Sequence, residues 1–332
     1  MKAIVYHEYG SAEVLNYEEV DKPSPKDNEV LIKVRAAAIN PLDWRLMHGQ
    51  PKVIRLMARA MKMGGGRPGV DVAGEIEVAG PDVKTFKSGD QVFGGCRGAL
   101  AEYACTVEKS LVMKPADLTF EQAASIQVAG LTALQGLRDK GKIQSGQSVL
   151  INGASGGVGT FAVQIAKTFG AQVTGVCSTR NLELVKSIGA DAVIDYTKAD
   201  FTSLPEKYDV ILECVGNKTL AGCRRVLNRN GRCVVVGAPH DMKLLSLLAL
   251  NIKGLGISLF SKQKATFFVS KSSPGDLSWL AEMIANGKIK PVIDSQYPLD
   301  EAAEAMRRLE RGHARGKVVI VVSSDSQIAN AA

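Results

Sequence analysis

The run with the clearest chemistry is Asn152-Gly153-Ala154-Ser155-Gly156-Gly157-Val158-Gly159. It stands between an apolar, strand-like run, Ser148-Val149-Leu150-Ile151, and a helical pattern over 158–169. In that context glycines cradle a pyrophosphate. Gly156 lets the backbone approach the anion, Gly159 lets the helix pack close on the strand, and free N–H groups at the helix start bind negative charge. Ser155, Gly156, Gly157 and Val158 are the candidate phosphate contacts. Ala154 holds the usual first glycine position, so the run is a variant. The end of the next expected strand reads Val176-Cys177-Ser178-Thr179-Arg180-Asn181, with no acid before Glu183. An NAD site would place an Asp or Glu there on the ribose hydroxyls. Ser178 and Thr179 can donate hydrogen bonds instead, and Arg180 offers a fork to a 2′-phosphate, which favours NADP(H). The plainer alternative makes Arg180 a solvated residue at a helix start.

These residues need a sheet to hold them. Further apolar runs at 171–177, 192–195, 209–213 and 232–237 alternate with helical patterns at 182–188 and 219–227, which predicts a parallel sheet covered on both faces. The first 120 residues differ: short alternating runs such as 29–36 and 72–78 are separated by Pro and Gly clusters, as in a barrel-like β domain. Thr119 and Gln122 have capping-box spacing, opening a helix expected over 123–138. Helices over 277–286 and 301–311 and a strand over 317–322 close the chain. Its 332 residues exceed the roughly 250–300 at which a single core stops growing, so two domains are expected.

Composition sets further limits. The chain is 45% hydrophobic and 23% charged, which excludes a disordered or collagen-like polymer. A net charge of +7 permits an anionic ligand without requiring one. Cys96, Cys105, Cys177, Cys214, Cys223 and Cys233 form no CxxC and no Cys/His metal spacing, so they read as reduced, cytoplasmic thiols. The start has no apolar leader region and carries an early acid, Glu8. No metal site is expected.

The order of a β domain, a mid-chain nucleotide domain and a return to the first resembles the medium-chain dehydrogenase/reductase superfamily, in particular its zinc-free quinone oxidoreductase (zeta-crystallin-like) branch. The resemblance covers nearly the whole chain. It is carried by Ala38-Ile39-Asn40-Pro41-Leu42-Asp43, Pro68-Gly69-Val70-Asp71-Val72-Ala73-Gly74, Ala129-Gly130-Leu131-Thr132-Ala133, the glycine turn, the 188–196 run and Gly312-His313-Ala314-Arg315-Gly316-Lys317. It implies an α/β fold: a GroES-like, partly open β-barrel domain over 1–122 and 288–332, and a doubly wound Rossmann domain over 123–287. Zinc members carry a catalytic Cys near position 40, a His at position 70 and a four-Cys lobe. This chain has Asn40 and Val70 and lacks the lobe.

Residue by residue, the resemblance implies that Tyr196 lies along the adenosine 2′-phosphate beside Ser178 and Arg180. Asn181 stands where the family often has a Lys. Cys214-Val215-Gly216 and Val236-Gly237 pass the ribose groups, Val128 and Thr132 face the nicotinamide, and Asn40 contacts its ribose. His313, Ala314 and Arg315 lie on a loop reaching the cofactor. Arg45 is the candidate to hydrogen-bond the acceptor carbonyl or to orient the nicotinamide, with an ion pair to Asp43 as its structural alternative; Asn40 and Asp43 complete the candidate catalytic set. The acid-free, basic amphipathic stretch 52–63 reads as a surface helix, a Met-lined lid or a contact with an anionic membrane. The apolar stretch 244–260, with Phe267 and Phe268, reads as an acceptor pocket or a homodimer contact.

The implied activity is NADPH-dependent, zinc-independent hydride transfer to quinones or α,β-unsaturated carbonyls. Two rivals stand: enoyl-thioester reduction on the same fold, and a non-catalytic NADP(H)-binding regulator with RNA affinity. Aromatic content of 5% leaves few stacking platforms, so no specific nucleic acid is expected.

Overall fold

The computed structural model describes residues 1–49, 66–237 and 262–322. The expectations for 52–63, 244–260 and the terminal 323–332 lie outside the described residues. The chain divides into two compact units, one of Met1–Val128, Ser272–Ala285 and Pro291–Ala332, the other of Ala129–Lys271 and Asn286–Lys290. The boundaries that the family resemblance implies fall at 122/123 and 287/288. In the structure the helix Pro274–Ala285 goes with the first unit, where it packs near the short strand at Leu111–Met113.

The first unit is built from β1 (Lys2–Val5), β2 (Asn16–Glu19), β3 (Glu29–Ile39), β4 (Asp71–Ala79), β5 (Gln91–Gly95), β6 (Tyr103–Val107) and β7 (Leu111–Met113). The second contributes β8 (Ser148–Asn152), β9 (Gln172–Cys177), β10 (Ala192–Asp195), β11 (Tyr208–Glu213), β12 (Leu227–Val235) and β13 (Lys264–Phe267). The chain then returns with β14 (Ile293–Pro298) and β15 (Lys317–Val321).

In the first unit the sheet order is β14-β15-β3-β4-β5-β7, with β6 also on β3. β3 is its hub because inward Val30, Ile32, Val34, Ala37 and Ile39 are all buried in one core with Val72, Ile76, Val318 and Ile320. Strands β3 and β4 approach closely at Gly74, where a Cβ would sit 2.2 Å from the Lys33 carbonyl oxygen; only glycine fits. The amphipathic helix Ala302–Glu310 covers this core with Ala302, Ala305 and Met306.

The second unit is an all-parallel sheet, order β10-β9-β8-β11-β12-β13. The chain runs outward from β8 in one direction, then restarts at β11 in the other. The switch point therefore lies between β8 and β11, and the carboxyl ends of those strands are where a dinucleotide binds in such sheets. Near-continuous burial along β8 and β11 fits strands covered on both faces.

The expected helix 123–138 is three pieces: Phe120–Ala124, Gln127–Gln135 and a π-helical turn Gly136–Gly141. Thr119 and Gln122 form the capping box as expected. The break follows because Ser125 Oγ donates to the Gln122 carbonyl at 2.6 Å, a side-chain bond that competes with the helical ladder. A fresh helix start then leaves the Val128 N–H without a helical acceptor, and Asp71 takes it.

Candidate active site

The second unit builds its site at the switch point. After β8, Gly153 turns the chain at φ +82°, and Gly156 caps the helix Gly157–Thr168. A Cβ on Gly159 would sit 2.0 Å from the Gly153 carbonyl oxygen, so helix and turn approach as closely as two backbones allow. Ser155 lies in this turn, and the Asn181 side chain joins it to Ser178 at the end of β9. Asn181 is buried, and its Oδ1 has no hydrogen-bond partner among the described residues. Arg180 and Thr179 are exposed, and Tyr196 is half-exposed. The Asp195 carboxylate accepts from the Thr179 hydroxyl and from the backbone N–H and hydroxyl of Thr197. These bonds hold it below the usual carboxylate range.

After β11 the loop Cys214-Val215-Gly216 is organised by Glu213, which is 1% exposed. Its Oε1 accepts from Val215 N and Gly216 N, both at 2.8 Å, and both its oxygens accept from Asn152 Nδ2 at 2.9 Å. Burial pushes this carboxyl upward, against the lowering by those N–H groups. Val236 N and Gly237 N donate to the Glu213 carbonyl at 3.0 Å, bringing the end of β12 into the same cluster. Thr132 shares a 2.9 Å hydroxyl contact with Ser270, and Gln135 pairs through both ends of its amide with the Lys271 backbone. The crowded glycine turn and the unsatisfied buried acceptor on Asn181 fit a dinucleotide at this edge.

The first unit holds a second cluster. Asn40 precedes the helix Pro41–His48, and Asp43 reaches back to the Asn40 N–H at 2.8 Å while accepting the Gly69 N–H at 3.1 Å. Asp71 is wholly buried. Its Oδ2 accepts from Lys317 Nζ and Asn40 Nδ2, both at 3.0 Å, and its Oδ1 accepts from Val128 N at 3.1 Å. Lys317 also donates to Asn40 Oδ1. Burial pushes Asp43 up to about 7, with the Asp71 charge adding to it and the Asn40 and Gly69 N–H groups opposing it. Arg45 lies with its guanidinium 5.3 Å from the Trp44 ring, while Asp43 is engaged by backbone. His313, Ala314 and Arg315 lie on a segment pinned by Asp294, which accepts from Arg315 N at 2.7 Å and from Arg308.

Of the residues singled out from sequence, Asn40, Asp43, Arg45, Val128 and His313–Arg315 fall in the first unit, and the others in the second. Asp71, Lys317 and Glu213 had no assigned role. Their signal is a charge at the end of a strand beside apolar neighbours: Val-Asp-Val, Lys-Val-Val-Ile and Ile-Leu-Glu.

The family model described as "Alcohol dehydrogenase GroES-like domain" matches residues 26–116, and that described as "Zinc-binding dehydrogenase" matches 188–320. The Arabidopsis thaliana "Chloroplast envelope quinone oxidoreductase homolog" is 34% identical across 96% of this chain and 98% of its own. The chain belongs to the medium-chain dehydrogenase/reductase superfamily, in its quinone oxidoreductase branch. Another member, the "NADPH-dependent alkenal/one oxidoreductase, chloroplastic" of Arabidopsis thaliana, is 36% identical across 96% of this chain and 79% of its own. The quinone oxidoreductase structure from Coxiella burnetii superposes with a TM-score of 0.86 at 31% identity, covering 97% of this chain and 99% of that one. The superfamily's two-part plan, a GroES-like domain and a Rossmann domain, is the one described above.

Proposed function

We propose that this protein is an NADPH-dependent, zinc-independent reductase of quinones and α,β-unsaturated carbonyls. The observation that carries the reading is the paired glycine turn and Asn181-linked serines at the switch point, with no acid at the end of β9. Relatives named for quinone and alkenal/one reduction support the acceptor class. When bound, NADPH supplies the hydride. The chain supplies N–H groups of the glycine turn for the pyrophosphate and hydroxyl and guanidinium donors of Ser178 and Arg180 for the 2′-phosphate. Hydride addition to an enone β-carbon, or to a quinone, leaves a delocalised oxyanion that one proton from water completes. An acceptor already electrophilic needs no Lewis acid.

The donor set near Asn40 does not fit a catalytic zinc. Asn40 Oδ1 already accepts from the Lys317 ammonium, Val70 has no donor atom, and burial holds the Cys96 thiol far above its ordinary range. An ammonium buried there would also repel a dication. A homodimer and a cytoplasmic, reducing compartment complete the proposal; all six cysteines are free thiols.

The test is NADPH oxidation with a panel of 1,2- and 1,4-quinones and 2-alkenals, before and after chelation. Turnover unchanged by chelator is expected. Turnover confined to enoyl-thioesters, or tight NADPH binding with no turnover, would overturn the reading. In the same assay Arg45→Ala is expected to slow single-turnover hydride transfer; an unchanged rate removes Arg45 from the chemistry.

A further inference from the structure

One amide joins the two loops that a dinucleotide's adenosine half meets. Asn181 is 4% exposed. Its Nδ2 donates to Ser155 Oγ in the glycine turn at 3.0 Å and to Ser178 Oγ after β9 at 3.2 Å. An amide nitrogen has two protons, and both are used here. A hydroxyl oxygen that accepts from an amide keeps its own proton to donate elsewhere. Neither hydroxyl has an acceptor among the described residues. The reversed amide would accept both hydroxyl protons inward and strand two buried N–H donors. The orientation present strands a single acceptor, Oδ1. A buried polar group without a partner is uncommon and calls for a reason, and a group that completes the network from outside the chain is one.

We propose that Asn181 sets the coenzyme preference of this chain by aiming the Ser155 and Ser178 hydroxyl protons outward as donors to phosphate oxygens, while its own Oδ1 waits for a ribose hydroxyl. This rests on the NADPH reading above and deepens it. Recognition of the 2′-phosphate then depends on neutral, oriented donors beside the Arg180 charge, and it is sensitive to the direction of a single amide. A carboxylate at this position can only accept. It would pull both hydroxyl protons inward and add a negative charge beside the phosphates.

The experiment is equilibrium binding of NADPH and of NADH, read by nicotinamide fluorescence without any acceptor. Asn181→Asp is expected to weaken NADPH at least tenfold more than NADH. Asn181→Leu, which frees the hydroxyls without reversing them, is expected to weaken NADPH about three- to tenfold while the cofactor-free melting temperature holds. Should the aspartate variant not fold, the leucine variant is combined with Ser178→Ala; the double variant is expected to lose less NADPH affinity than the two single losses combined, because part of the effect of Asn181 runs through the Ser178 hydroxyl. Fully additive losses, or an unchanged NADPH-to-NADH ratio in Asn181→Leu, would overturn the proposal. A wild type that binds NADH as tightly as NADPH would instead overturn the NADPH reading. The Asn181–Ser155 coupling is then read on NADH with Asn181→Leu, Ser155→Ala and their double variant, where additive losses reject the role of Asn181 as well.

Discussion

Asp71 and Glu213 are equally hidden, at 0% and 1% exposed, yet the two units hold them by opposite means. Asp71 is met by a full positive charge, the buried ammonium of Lys317, with an asparagine amide and one backbone N–H completing its shell. Glu213 is met by neutral dipoles, the Asn152 amide and the N–H groups of Val215 and Gly216, while Lys218, whose charge reaches it, is tied to Asp200. The first arrangement is a charge-compensated frame that fixes Asn40. The second is a set of backbone donors that fixes a loop, at the edge of the sheet where a dinucleotide's phosphates bring negative charge. In the first unit an ion pair holds the asparagine still; in the second, dipoles hold the carboxylate and the ammonium of Lys218 is bonded elsewhere.

If that contrast is right, the largest effect comes from breaking the ion pair. Asp71→Asn leaves Lys317 charged and buried without its partner, and is expected to cost about 3–5 kcal/mol in thermal or urea unfolding. Adding Lys317→Met should recover most of that loss, because the pair removed together leaves no uncompensated charge. A double variant as unstable as the single one would mean that the pair's geometry, rather than its charge balance, holds the frame.

Asp43 tests what dipoles alone can do in the first unit. It is buried like Asp71 but, among the described residues, its carboxylate accepts from the Asn40 and Gly69 N–H groups and from no ammonium, and it is pushed up to about 7. With the folded value above the unfolded one, the native state holds a proton that the unfolded chain has released between about pH 4 and 7. Its contribution is therefore full at acid pH and is lost as pH rises through about 7. Asp43→Asn does not titrate, so the stability of the wild type relative to this variant should fall by roughly 4 kcal/mol across that window and stay flat above it. A difference that does not move with pH would show the two N–H groups to be as effective as the lysine.

The two regions also differ in how far they can be read from the chain. The glycine turn, the capping box at Thr119 and the parallel sheet are local patterns, and each is legible because neighbours in sequence make it. The Asp71–Lys317 pair spans 246 positions. It exists because β3 pairs with β4 through Ala38 and Asp71 on one side, and with β15 through Ile39 and Val318 on the other. Both charges are thus delivered to the end of β3, beside Asn40. Register of that kind is set by the folded sheet. Asn181 was legible as a departure from the family's lysine, but its two serine partners come from β8 and β9 lying side by side. The helix expected as one piece over 123–138 breaks because of a side-chain bond that periodicity does not carry.

In the second unit the backbone does what charge does in the first, so a methyl group should hurt it. A Cβ at position 159 would meet the Gly153 oxygen at 2.0 Å and Ala154 Cα at 2.7 Å, both backbone atoms that cannot swing aside. Gly159→Ala is expected to cost about 1–3 kcal/mol and to weaken NADPH binding more than tenfold, since the N–H groups of the turn move with it. Binding lost without any loss of stability would place the strain in the liganded state alone.

The smallest effect should come from Glu213→Gln. Both loop N–H groups fall on one oxygen, Oε1, which the glutamine keeps as its carbonyl. The new amide replaces Oε2 and meets Asn152, whose side chain can turn to present its own oxygen, giving up its 3.0 Å bond to Asn217. One hydrogen bond is lost, about 1 kcal/mol. Since burial raises the Glu213 carboxyl, the wild type's advantage is full below the ordinary carboxylate range and is lost as pH rises, so the penalty should shrink toward alkaline pH. A penalty as large as that of Asp71→Asn, growing rather than shrinking with pH, would mean that Lys218 compensates Glu213 after all. The two units would then hold their carboxylates by the same device.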